Sequence, residues 1–111
     1  MMRLMQRVVE LLEDRRSEER HPVLCEAELR LEGRAIAGIL LNLSQSGAQM
    51  AATSRPVPGD HGKLVFDDYS MPVRVIWVEG YRFGLLFDHA QSEELIHDLV
   101  VRVGSTSRAR D

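Results

Sequence analysis

The chain of 111 residues holds one cysteine, Cys25. A lone thiol closes no intramolecular disulfide, so packing must hold the fold, as in proteins of a reducing compartment. No apolar run nears the roughly 20 residues that a membrane-spanning helix requires. Arg3, Arg7, Glu10, Glu13 and Asp14 interrupt the apolar stretch that a secretory signal would need. A cytoplasmic protein without membrane insertion is therefore expected. Positive charge is not in excess either, and the formal net charge is −3. General DNA and RNA binders are usually basic, so neither is an expected partner. An anionic ligand would have to be held by a local cluster of cations.

Signatures of catalysis are missing as well. His61, His89 and His97 are scattered, without the spacing of a metal-binding pair, and no metal is expected. There is no Gly-x-Ser-x-Gly elbow and no phosphate-loop or dinucleotide fingerprint. No catalytic residue and no cofactor is assigned, and an enzyme is the weakest of the functional readings.

What is present suits one globular domain: 44% apolar and 28% charged residues over a length that can bury a core. Residues 1–13 place Leu4, Val8, Leu11 and Leu12 at helical spacing, which predicts a short amphipathic helix. Such a helix is marginal alone and needs a surface. A charged lead-in over 14–22 ends at Pro22. Val23, Cys25, Ala27, Leu29 and Leu31 then alternate with Leu24 and charged residues, as in a half-buried strand. Cys25 is expected in the core for that reason.

Further strands are expected over 34–43, 48–52, 61–67, 72–79 and 81–87, broken at Glu32-Gly33, Asn42–Gly47, Arg55–Asp60, Asp67–Ser70 and Glu79-Gly80. Trp77 and Phe83 are read as core. From Ser92 the period is helical, with Leu95, Ile96, Leu99, Val100 and Val103 on one face and Glu93 and Glu94 in the first turn. Residues 104–111 read as a polar tail. Six short strands suggest a mainly β, closed or nearly closed barrel, on which the C-terminal helix packs.

Two clusters carry chemistry. Arg15, Arg16 and Arg20 stand just before the first strand, and Asn42, Ser44 and Gly47 follow the second. Antiparallel pairing of those strands would bring both clusters to one end of the barrel. Guanidinium groups pair bidentately with phosphate and stack on flat π systems. Asn42 and Ser44 offer donors and acceptors that could read a polar edge, and Gly47 permits positive φ or close approach. Alone, the arginines read as a solvated run paired with Glu18 and Glu19, and Asn42 and Ser44 as turn residues. Together they read as a clamp for an anionic ligand. Asp14, Glu18 and Glu19 must then point away. His21, beside the arginines, is a further candidate contact.

Arg16-x-x-x-Arg20 followed by Asn42-x-Ser44-x-x-Gly47 resembles the paired signature of PilZ domains. Pro58-Gly59-Asp60, Val75-x-Trp77 and Tyr81-Arg82-Phe83-Gly84-Leu85-Leu86-Phe87 are also similar to that family. The resemblance spans about residues 14–103, between the predicted N-terminal helix and the tail. It implies a six-stranded antiparallel β-barrel with a C-terminal helix, and binding of cyclic di-GMP. Arg16 and Arg20 would contact phosphate and stack on guanine, Asn42 and Ser44 would hydrogen-bond the ligand, and Gly47 would keep the loop shape. Arg15 before the motif is associated with a stacked ligand pair. A receptor of this kind is expected to regulate an unidentified protein partner in trans. A barrel that binds protein and no nucleotide, with the N-terminal helix as docking or homodimer element, is the alternative.

Overall fold

Alternation of apolar and polar side chains produces strands close to where it predicts them. The computed structural model describes residues 19–109, with side chains through residue 103. The expected N-terminal helix over 1–13 lies outside the described residues, as do Arg15 and Arg16. Six strands follow: β1 (His21–Leu31), β2 (Arg34–Leu43), β3 (Gly47–Ala51), β4 (His61–Phe66), β5 (Tyr69–Glu79) and β6 (Arg82–Phe87). They close an antiparallel barrel in the order β1-β2-β3-β6-β5-β4. Closure leaves no unpaired sheet edge. Gly33 (φ 79°) and Gly80 (φ 61°) supply the left-handed residue in the β1–β2 and β5–β6 turns.

Among the described residues one helix, α1 (Glu93–Ala109), packs along β1. The Ser92 hydroxyl caps it by accepting from the Leu95 amide at 3.1 Å. Its length exceeds the sequence expectation, because the helix continues into the stretch read as a tail. No proline follows Ser92, and adding residues to a formed helix costs little. Ile96, Leu99 and Val103 join the barrel core, which is built on Leu29, Ile36, Leu40, Leu43, Met50, Leu64, Phe66, Val75, Phe83 and Leu85. Each such side chain contributes about 1.5–3 kcal/mol on burial. Cys25 is half-buried, packed against this core and not within it.

The pairing shifts register in three places: between Pro22 and Cys25, between Leu40 and Asn42, and between Val75 and Trp77. In β2 the extra residue is Leu41, and in β5 it is Ile76. A bulge inserts one unpaired residue, so the face that each later residue occupies is exchanged. Ile36 and Leu40 point inward, and strict alternation would carry Asn42 inward too. The extra residue at Leu41 turns Asn42 outward and Leu43 into the core. Ile76 does the same in β5, turning Trp77 outward.

These facings predict opposite outcomes for two leucines on neighbouring strands. Leu40→Ala should cost about 2–5 kcal/mol in urea unfolding, as for a fully buried leucine. Leu24→Ala, at a side chain 68% exposed, should stay within about 0.5 kcal/mol. Equal losses would contradict the assigned facing of β1 and β2.

Candidate functional site

The β1–β2 ladder brings the two polar clusters together. His21 pairs with Leu43 and Pro22 with Asn42. Arg20 therefore stands at the barrel rim beside the end of β2 and the loop that follows. Arg20 is half-buried, and none of the described residues pairs with it. Directly opposed residues share a face of the sheet. Pro22 lies on the outer face with Asn42, whereas His21 lies on the inner side with buried Leu43. His21 instead lines an open groove of about 360 Å³ with Glu19 and with Glu93, Glu94, His97 and Asp98 of α1. The sequence expectation of His21 beside the other candidate contacts thus meets a side chain directed toward α1. Glu19 is directed the same way.

The loop between β2 and β3 is tightly tied. The Ser44 amide donates to the Gly47 carbonyl at 2.8 Å, and the Ser44 hydroxyl donates to the same oxygen at 3.3 Å. Ser44 is fully buried, so its hydroxyl serves the turn. Gly47 does not use left-handed backbone. Its requirement is close approach: a Cβ there would overlap the Leu85 carbonyl oxygen of β6. From the other side, the Phe87 amide donates to the Ser46 carbonyl and the Gln91 amide to the Gln45 carbonyl, both at 2.8 Å. The loop is held by β6 and by the segment after it.

Outward from this loop runs one row of opposed residues: Pro22, Asn42, Gln49, Gly84 and Trp77, across five strands. The Trp77 indole lies over Gly84, where any Cβ would collide with the ring. Trp77 is half-buried on the outer face, which corrects its assignment to the core. Phe83 is buried as expected. Gln49 accepts from the Arg82 guanidinium at 3.1 Å. The Asn42 Oδ1 is shielded from water and meets no donor. An unpaired buried acceptor costs about 1–3 kcal/mol.

The structure therefore brings Arg20, Asn42, Ser44 and Gly47 to one rim, with Ser44 and Gly47 shaping the loop. It adds Gln49 and Trp77, which sequence reasoning missed. No signal in the strand pattern marks the bulges that turn the Asn42 and Trp77 side chains outward. Among the described residues no group of three or more His, Cys, Asp or Glu could hold a metal ion, and no helix is long and apolar enough to cross a membrane.

The family model described as PilZ domain matches residues 14–102 of the chain. The fold is similar to the crystal structure of the PilZ domain of CeSA from a cellulose synthesizing bacterium. That similarity has a TM-score of 0.53 at 16% identity and covers 81% of this chain and 98% of that one. No curated protein sequence matches the chain.

If loop shape depends on close approach, Gly47→Ala should overpack the β3–β6 contact and lower stability by about 1–3 kcal/mol. Ser44→Ala, which leaves the backbone half of the turn intact, should cost about 1 kcal/mol. Thermal unfolding of both variants checks the order of these effects.

Proposed function

Because the chain belongs to the PilZ domain family, we propose that it is a cytoplasmic receptor for cyclic di-GMP that regulates a protein partner in trans. The observation that carries this reading is the pairing of Pro22 with Asn42, which seats Arg20 beside the Asn-x-Ser-x-x-Gly loop. The ligand has two phosphates and two guanines. Arg20, together with Arg15 and Arg16 of the lead-in, clamps phosphate and stacks on guanine, as guanidinium chemistry allows. Asn42, half-buried on the outer face, turns its amide toward a guanine edge, and its Oδ1, shielded and without a donor in the free protein, thereby gains the hydrogen bond it lacks. Ser44 and Gly47 contribute by holding the loop.

Trp77 offers a flat π face on the row that contains Asn42, and stacking on an aromatic ring is worth about 1–3 kcal/mol per base. Neutralising the arginines draws the lead-in onto the barrel. That movement repositions the segment before it and changes the surface a partner meets. The reaction is binding alone, with no bond made or broken.

A second reading is a protein-interaction barrel that takes no nucleotide. Leu24 and Ile39, apolar and exposed on the outer face of β1 and β2, favour it. Calorimetry separates the two. Wild type should bind cyclic di-GMP at micromolar or lower concentration, and Arg16→Ala or Arg20→Ala should each weaken binding by about 2–5 kcal/mol. Asn42→Ala should weaken it by about 1–3 kcal/mol. Absence of heat at high ligand, with the protein folded, would overturn the receptor reading and leave the second.

A further inference from the structure

A second cationic locus lies on the same outer face, on the far side of the motif loop from Arg20. Gly47 pairs with Leu86, Leu86 with Arg74, and Arg74 with His61. These four residues form a row beside the one that holds Asn42 and Trp77. Arg74, His61, Leu86, Phe87, Asp88 and His89 line an open groove of about 440 Å³. The segment that lines this groove is also tied to the motif loop: the Phe87 amide donates to the Ser46 carbonyl and the Gln91 amide to the Gln45 carbonyl. Between Gly47, which has no side chain, and Arg74 stands only half-buried Leu86. Two strand spacings separate them, about 10 Å.

An exposed arginine is ordinary on a protein surface. Arg74 differs in what surrounds it. The one carboxylate of the groove, Asp88, is held by His61 Nε2 at 2.9 and 3.0 Å. Arg74 makes no ion pair or hydrogen bond with any described residue. Among the described residues the acid thus has a partner and the guanidinium has none, one strand from Leu86 and two from Gly47 of the motif loop. On a chain of net charge −3, an unpaired cation in that place is a local attraction for an anion.

We infer that Arg74 is a phosphate-contacting residue that extends the cyclic di-GMP site across β6, so that the ligand is held from both sides of the Gly47–Leu86 floor. The inference rests on the proposed receptor function and adds a residue that lies outside the paired arginine and Asn-x-Ser-x-x-Gly signature. Its chemistry is that of the rim arginines, a charge-assisted fork to phosphate oxygens. His61 has an indirect, positioning role: it keeps Asp88 from competing for the guanidinium.

Calorimetric titration of the full chain with cyclic di-GMP tests it, with wild type, Arg74→Gln and Asp88→Asn side by side and thermal unfolding of each. Arg74 is exposed, so Arg74→Gln should melt with wild type. The expected result is binding at least threefold weaker for Arg74→Gln and equal or tighter for Asp88→Asn. Opposite effects of the two variants are what groove electrostatics requires. Binding by Arg74→Gln within threefold of wild type overturns the inference and leaves the receptor reading intact. Equal weakening by both variants also overturns it, since the groove would then act through the fold. No binding by wild type removes the receptor reading, and the inference with it.

Discussion

The register between β1 and β2 is the constraint on which the site depends. Nine residue pairs lock the hairpin from Leu31–Arg34 at the turn to His21–Leu43 at the rim. Because side chains alternate with period two, a slip of one residue would exchange the faces of the whole strand. Leu29, Ile36, Leu40 and Leu43 would then leave the core, each forfeiting about 1.5–3 kcal/mol. The apolar residues thus fix the pairing, and the pairing fixes where the polar ones stand. Asn42 faces outward because Leu40 and Leu43 both face inward, and only the extra residue at Leu41 makes those two conditions compatible.

The two halves of the site are built differently. On the loop side, Ser44 closes the turn onto Gly47, Gly47 lies against β6, and Gln45 and Ser46 are bonded to the chain after β6. That half costs little to order on binding, since the barrel holds it already. On the arginine side, Arg20 has no partner among the described residues, so in the proposed receptor its guanidinium would be drawn to the ligand. Ordering a long side chain costs about 0.5–1.5 kcal/mol, which a charge-assisted hydrogen bond exceeds. The proposed receptor function asks for that division, a loop already held and an arginine yet to be ordered, if binding is to move one part relative to the rest.

Much of this was legible in the sequence, and the exceptions share one physical cause. Strand positions, the helix face from Leu95 to Val103 and the placing of the start of β1 beside the end of β2 follow from alternation, helical spacing and the antiparallel hairpin. Residues beyond a bulge do not follow. Val73, Val75 and Trp77 have inward spacing, yet Ile76 is an extra residue and Trp77 faces out over Gly84. Hydroxyl direction was equally hidden: Ser44 suits a ligand or a turn in the sequence, and only tertiary placement commits it to the turn. Gln49 and Arg74 sit on strands whose pattern marks them merely as outward. Their relation to the loop comes from β3, β6 and β5 being neighbours, a long-range fact that no local signal contains.

Charge segregation reconciles a net charge of −3 with the anionic ligand proposed for this chain. Glu19, Glu93, Glu94 and Asp98 share one groove between the start of β1 and α1. Arg74 lines a separate groove, which has no residue in common with the acidic one and whose single carboxylate is occupied by His61. Exposed charges farther apart than about 8–10 Å are largely screened at physiological salt. What a phosphate meets is therefore the local sign and not the total. Glu19 precedes Arg20 in the chain, yet β1 directs it to the helix side while Pro22 joins Asn42 on the outer face. The acid next to the arginine in the chain thus lines the helix-side groove with His21, apart from the outer face that holds Asn42.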